Sequence, residues 1–288
     1  MTESVANSAP LFSVVIPSLN QGQFIEQSIL SVVGQGVDSV ELIIIDGGSS
    51  DETLDVIRRN EHHIAYWSSE PDHGQAHAIN KGFRRARGRI LAWLNSDDFY
   101  LPGTLSRVAR KLGWSAEPAL VYGASLQFDE LGTVAWGVRP APFDPERLRQ
   151  LDYIVQPSTF WTRSLWTQVG ELDEGLHYAF DWDWSIRASQ RCVFTPLNDY
   201  LSCYRIHEGH KTRTGGSARF MEVVQVVERH AAPEWVAAYR DVLYRVDRVA
   251  KQVRHLRSLR LYRLRSLFFP LLHLRHGSSR MDTVFAML

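Results

Sequence analysis

The sequence predicts an α/β protein, a mostly parallel sheet flanked by helices, followed by a helical, basic C-terminal extension. Three observations predict it. Short, strongly apolar runs at Phe12–Ile16 and Val40–Ile45 and an unbroken one at Ile90–Leu94 have the length of strands buried on both faces. Segments with helical spacing of apolar residues separate them, and strand, helix, strand is the pattern of a doubly wound sheet. Each run also stops in a turn rich in Asn, Ser, Asp or Gly, and in such sheets the carboxyl ends of the strands form the ligand crevice. With 288 residues, 44% of them hydrophobic, the chain can bury a sizeable core.

Taken in order, the first strand, Phe12–Ile16, runs into Pro17, Ser18, Leu19 and Asn20. A helix is expected from Gln23 to Val33, with Phe24, Ile25, Ile29, Val32 and Val33 near helical spacing and Gly34 and Gly36 ending it. Val40–Ile45 forms the next strand and stops at Asp46, Gly47, Gly48, Ser49, Ser50 and Asp51. A capped helix over Thr53–Arg59 and a third strand over Ile64–Trp67 follow. The helix expected over Gln75–Ala86 carries Ala76, Ile79 and Phe83 on one face, with Lys81, Arg84 and Arg85 as its cations. Neither GxxxxGK[ST] nor GxGxxG occurs, so neither a Walker-type phosphate loop nor a dinucleotide fingerprint is supported.

The fourth apolar run ends in Asn95, Ser96, Asp97 and Asp98. Adjacent carboxylates at a strand end suit a hard divalent cation held against a substrate phosphate. Alone, the same four residues read equally well as a polar turn or helix cap.

Four segments together, SVVIPSLNQGQFIEQSI, LIIIDGGSSDET, SEPDHGQAHAINKGF and ILAWLNSDDFYLPGTL, resemble the nucleotide-binding half of family 2 glycosyltransferases, inverting enzymes of the GT-A fold. The resemblance covers about the first hundred residues, with the motifs in register at successive strand ends. It implies that Pro17, Ser18, Asn20 and Gly48 line a nucleotide site and that Asp46 hydrogen-bonds the base. It further implies that Asp97 and Asp98 hold Mn²⁺ or Mg²⁺ on the diphosphate. Lys81, Arg84 and Arg85 suit added positive potential nearby, and read at least as well as a solvated helix face. Many relatives carry a second Asp where this chain has Gly47, which bears on base recognition. The expected donor is a nucleotide-sugar, a UDP-sugar by family habit, and the expected acceptor a saccharide or lipid-linked saccharide.

In the second half, a helix is expected over Thr104–Leu112, a strand over Ala119–Phe128 and a hairpin partner over Thr133–Val138. Inverting transfer needs a base opposite the leaving group. The segment HYAFDWDWSIRAS places Asp181 and Asp183 at the start of a helix beside Trp182 and Trp184. It resembles the family's base motif with Asp181 at the second acid and Phe180 where many members have Glu. Asp181 is the expected base, Asp183 the competing assignment, and Trp182, Asp183 and Gln156 the expected acceptor contacts. Trp182 and Trp184 read equally well as core, and both acids as helix caps. The segment LSCYRIHEGHKTRTGGS reads as a flexible loop, in which the resemblance makes His207 a third metal ligand.

The formal net charge is zero, but residues 251–288 hold eight basic residues and one acidic residue, leaving 24 basic and 31 acidic residues in 1–250. An acidic body is a poor partner for nucleic acid. The expected division is a catalytic domain over 1–218, with a nucleotide-sugar half to 105 and an acceptor half from 106, and a helical extension over 219–288. Within that extension, residues 251–275 mix Arg with Leu and Phe, which suits a helix on an anionic membrane surface or packed on protein. Cys192 and Cys203 make no metal-type pair, and the first ten residues lack the features of a signal peptide. A cytoplasmic protein, acting at the inner face of the membrane if the tail binds lipid, is expected. A nucleotidyltransferase fits less well because no glycine-rich basic loop follows the first strand; a non-catalytic binding module fits less well because Asp97, Asp98 and Asp181 are all present.

Overall fold

The computed structural model describes residues 9–37, 39–113, 115–129, 133–207, 209–211 and 215–244. The basic segment 251–275, read above as a membrane-surface helix, lies outside the described residues. Two compact units divide at His210, with Met1–His210 as the first and Lys211–Leu288 as the second.

The first unit is built on one sheet. Strands β1 (Phe12–Ser18), β2 (Val40–Asp46), β3 (Tyr66–Ser69) and β4 (Ile90–Trp93) lie in the parallel order β3-β2-β1-β4. Helices α1 (Gly22–Val33), α2 (Thr53–Arg59) and α3 (Gln75–Arg85) make the crossovers. The runs are largely apolar because both faces are covered: Val14, Ile16, Leu42, Ile44, Ala92 and Leu94 all belong to one buried core. Ile64 does not begin β3; it closes a one-turn 3-10 helix at Glu61–His63, and the strand starts at Tyr66.

Beyond β4 the sheet changes character. Strand β8 (Thr159–Thr162) pairs antiparallel with β4, and β6 (Leu120–Asp129) pairs antiparallel with β8. The 13-residue β9 (Phe194–Ile206) runs parallel to β6 and pairs antiparallel with β5 (Phe99–Tyr100), while β7 (Val134–Val138) hangs on β6. Half of the strand pairings among the described residues are therefore antiparallel, and the sheet is mixed rather than mostly parallel. Consecutive strand–helix–strand crossovers give an all-parallel order as far as β4; beyond it, among the described residues, only β6 and β9 pair in parallel. Helices α4 (Thr104–Leu112), α5 (Pro145–Gln150), α6 (Arg163–Val169) and α7 (Phe180–Ser189) complete the unit.

This topology fixes where ligands can enter. The chain leaves β1 for β2 on one side and returns to β4 on the other, so the carboxyl ends of β1 and β4 diverge into a crevice. In the second unit, α8 (Gly216–His230) buries Phe220, Val224, Val226 and Val227, and Phe220 stacks on Tyr239 at 6.4 Å. No helix among the described residues is long and apolar enough to cross a membrane.

Candidate functional site

At the end of β1 the chain needs a sharp turn into α1, and Asn20 makes it with φ 53°, a left-handed conformation that Asn tolerates better than most residues. Its amide donates to Ser49 Oγ at 2.7 Å, and its carboxamide oxygen accepts from the Ser50 amide at 2.9 Å. The turns after β1 and β2 are thus stitched together. Pro17 and Ser18 are buried just before that turn, and the Ser18 hydroxyl has no partner among the described residues.

Asp46 ends β2, fully buried. Its Oδ2 accepts from the amides of Gly48 and Ser49 and from the Ser69 hydroxyl, and its Oδ1 accepts from Ser49 Oγ. Those four bonds turn the carboxylate towards its own loop. Gly48 holds the loop with φ 88°. The position of Gly47 is explained by Asp72: a Cβ there would lie 2.8 Å from Asp72 Oδ2, so a carboxylate from the β3–α3 loop fills the space a side chain would need. Lys81, expected to add potential for the diphosphate, is ion-paired with Glu70.

The acid pair after β4 is split by the fold. Asp98 is 1% exposed; its Oδ1 accepts from the Arg205 amide at 3.1 Å and its Oδ2 from Asn95 Nδ2 at 3.3 Å. Burial first, and the adjacent Asp97 charge second, hold its carboxyl well above the usual carboxylate range. Ser28 Oγ donates to the carbonyls of Ser96 and Asp98 and ties the turn to α1. Asp97 points the other way, and its Oδ2 lies 3.0 Å from His207 Nε2. His207 packs on Phe24, with ring centroids 4.8 Å apart.

Arg205, in the sequence one cation of a loop, is the clamp beneath this turn. Its Nε donates to the Asp97 carbonyl at 3.0 Å and its guanidinium to Gln27 Oε1 at 2.5 Å, between the rings of Phe24 and Phe128. Residues 201–206, expected in a flexible loop, are the end of β9. The sequence carries no clean strand alternation here: Leu201, Cys203, Arg205 and His207 are buried, but so is Ser202 between them, and Arg and His are not apolar markers.

These residues fit a divalent cation. Two ligand atoms 3.0 Å apart match the ~3 Å edge of an octahedron with ligands at about 2.1 Å, and Mg²⁺-type sites complete such a pair with substrate phosphate oxygens. No group of three or more His, Cys, Asp or Glu forms a complete metal shell among the described residues.

On the other side of β4, a small pocket is lined by Trp93, Asp152, Ile154, Gln156, Thr159, Trp161, Asp181, Trp184 and Ser185. Gln156 sits in a 3-10 turn (Gln156–Ser158) and donates its Nε2 to the Trp93 carbonyl at 2.9 Å. Asp181 opens α7 onto this pocket. Asp183 does not: it is 3% exposed, and its Oδ2 accepts from Arg187 Nε at 2.9 Å. Arg187 in turn donates to the carbonyls of Val169 and Glu171. Trp182, 2% exposed, donates its indole N–H to the Leu148 carbonyl. Trp182 and Asp183, read above as acceptor contacts, are thus both buried with partners inside the protein, and Asp181 and Asp183, two apart on a helix, face different sides. Trp184, also buried, has its ring against Trp161 at 4.8 Å.

Residues 13–165 match the model of glycosyl transferase family 2. Over 186 residues the chain is 33% identical to a PGL/p-HBAD biosynthesis glycosyltransferase of Mycobacterium bovis, covering 62% of this chain and 70% of that protein. An uncharacterized glycosyltransferase of Rickettsia typhi is 26% identical over 216 residues, covering 72% and 67%. Among solved structures, Staphylococcus aureus TarS 1–349 in complex with UDP-GlcNAc superposes with a TM-score of 0.60 at 17% identity, covering 81% of this chain and 70% of that one. The chain spans 43% of a longer TarS structure. The mannosyltransferase PcManGT of Pyrobaculum calidifontis, in complex with GDP-Man and Mn²⁺, superposes with a TM-score of 0.58 at 17% identity, covering 97% and 79%.

Proposed function

The chain belongs to glycosyl transferase family 2, has the GT-A fold, and on that footing we propose that it moves a sugar from a nucleotide-diphosphate sugar to a saccharide or lipid-linked saccharide hydroxyl by one inverting displacement. The carboxylate of Asp181 takes the proton of the acceptor hydroxyl as that oxygen bonds to the anomeric carbon; the bond from that carbon to the diphosphate breaks, and a nucleoside diphosphate leaves. The turns stitched by Asn20, Gly48 and Asp46 hold the nucleotide end of the donor, beside Pro17 and the unpartnered Ser18 hydroxyl. Asp97 and His207, backed by Asp98 and Arg205, would hold a divalent cation that neutralises charge on the departing diphosphate.

The observation that carries the base assignment is the contrast within α7: Asp181 lines the pocket, whereas Asp183 is buried against Arg187. Asp181→Asn should retain donor binding by calorimetry and lose transfer, while the Asp183→Asn protein, once folded, should still transfer. Normal transfer by Asp181→Asn would reject the assignment.

A further inference from the structure

Gly47, just past the end of β2, carries no side chain, and the space one would need is filled from another loop. A Cβ there would lie 2.8 Å from Asp72 Oδ2 and 3.2 Å from Asp72 Cγ, and a Cβ on Gly48 would lie 3.3 Å from the Pro71 nitrogen. The loop after β3 thus brings a carboxylate to the end of β2. Its place is set by two bonds: Asp72 Oδ1 accepts from the Gly74 amide at 2.8 Å, and the Glu70 amide donates to the Asp46 carbonyl at 3.1 Å. Asp72 Oδ2 has no hydrogen-bond partner among the described residues. Asp46, to which the resemblance gives the base, is by contrast fully engaged. It is buried, and its two oxygens accept four hydrogen bonds from Gly48, Ser49 and Ser69.

The chemistry of that free oxygen narrows what it can meet. A carboxylate oxygen accepts and never donates, and its charge repels a diphosphate, so it suits the neutral end of a nucleotide. Position agrees with charge. In the order β3-β2-β1-β4, β3 stands three strands from β4, roughly 14 Å at about 4.8 Å per strand. With the diphosphate held by Asp97 and His207 beyond β4, the far end of the crevice falls to the base. Uracil, thymine and guanine present a ring N–H beside a carbonyl, which one carboxylate oxygen can accept. Cytosine and adenine present an unprotonated ring nitrogen there, whose lone pair a carboxylate repels.

We infer that Asp72, rather than Asp46, reads the nucleobase of the donor, accepting on Oδ2 the ring N–H of uracil, thymine or guanine, and that position 47 is glycine to admit it. The inference rests on the nucleotide-sugar reaction proposed above and extends it to the choice of base. Asp72 is a specificity-determining residue in this scheme, and Asp46 shapes the turn.

The test is calorimetry on the full chain with Mn²⁺ and UDP, dTDP, GDP, CDP and ADP in turn. One of the first three should bind best. Methylating its ring N–H, as in N3-methyl-UDP or N1-methyl-GDP, should cost about 100-fold, since a site built to bond an N–H rejects the analogue lacking it. Exchanging ribose for deoxyribose should change affinity by less than about threefold. Asp72→Asn keeps the shape and the acceptor for Gly74 but puts an amide N–H₂ in place of Oδ2. It should weaken the best nucleotide and strengthen CDP, narrowing the ratio between them about 100-fold. Inorganic diphosphate with Mn²⁺ should bind both proteins alike, a result that a general loss of structure would not give. A base preference unmoved by Asp72→Asn, or an N-methyl nucleotide bound as well as its parent, overturns the inference and leaves transfer intact. So does a loss that falls on the deoxyribose compound, which would give Asp72 to the ribose, or a preference for CDP or ADP. Binding of none of these nucleotides overturns the nucleotide-sugar reaction and this inference together. If Asp72→Asn fails to fold, Asp72→Ser, whose hydroxyl can still accept from Gly74, takes its place beside the N-methyl series on the unaltered protein.

Discussion

Around the acid turn, the polar groups are tied to one another: Ser28 to the Ser96 and Asp98 carbonyls, Arg205 to Asp98, the Asp97 carbonyl and Gln27, Asn95 to Asp98, and Asp97 to His207. Among the described residues, the Ser18 hydroxyl on the β1 side and, around the pocket on the far side of β4, the Trp161 N–H and the Gln156 oxygen are without hydrogen-bond partners. Under the proposed reaction a donor with a fixed diphosphate would meet a turn already arranged for it, with little ordering left to do on binding. The tied turn and the pocket lie on opposite sides of β4, and substitutions on either side test the roles proposed for them.

The largest effect is expected from Asp181→Asn, a drop in kcat of about 1,000-fold with donor affinity unchanged, because only proton abstraction is lost. Stopped assays for product alongside calorimetry with the donor check it. Next, Asp97→Asn should weaken Mn²⁺-dependent nucleotide binding about 10- to 100-fold, read as the metal concentration giving half-maximal binding. Without metal, the variant and the unaltered protein should bind nucleotide alike.

Arg205→Leu tests whether the donor side is held from below. It keeps the strand but removes the charged bonds to the Asp97 carbonyl and Gln27 and the stacking on Phe24 and Phe128. A loss of about 2 kcal/mol in urea unfolding is expected, with donor binding weakened and acceptor preference unchanged.

The smallest effect is expected at the opposite end of the sheet, remote from both sides. Glu41 is buried and accepts from Ser13 Oγ at 2.5 Å and from the Arg87 amide and Nε at 2.7 Å each. Burial alone would raise its pKa, but the hydrogen bonds from Ser13 and Arg87, with the Arg87 charge, outweigh it and lower the value. A carboxyl whose folded pKa is lowered adds stability above its unfolded pKa of about 4.3 and loses it as pH falls through the folded value. The advantage over Glu41→Gln should therefore be about 1 kcal/mol at neutral pH and vanish in acid, with kcat unmoved at neutral pH.

How far the sequence revealed this arrangement depended on whether the forces involved were local. β1, β2, α3, β4 and α4 were legible within two residues of their ends, because double-sided burial and helical spacing leave a pattern in the local sequence. The acid turn and Asp181 were legible from their residue types and their places at element ends. β9 was not, since Pro196, Asn198 and Asp199 are poor strand residues and its pairing with β6 slips register between Gly123 and Ser125. With β9 hidden, Arg205 lacked a position from which to act. Nor could spacing separate Asp97 from Asp98 or Asp181 from Asp183; the separation comes from partners 107 residues away for Asp98 and on the next helical turn for Asp183.

The ring cluster behind the pocket gives the protein a property unrelated to chemistry. Trp93 and Trp161 have centroids 5.3 Å apart, Trp161 and Trp184 4.8 Å, and Trp166 and Trp184 5.5 Å. Indoles so close couple their electronic transitions, and the coupled bands depend on the angles between the rings. Because three of the four line the pocket beside Asp181, their circular dichroism in the ultraviolet reports on the packing around it. The enzyme therefore carries its own optical gauge of that packing, readable without a label or turnover.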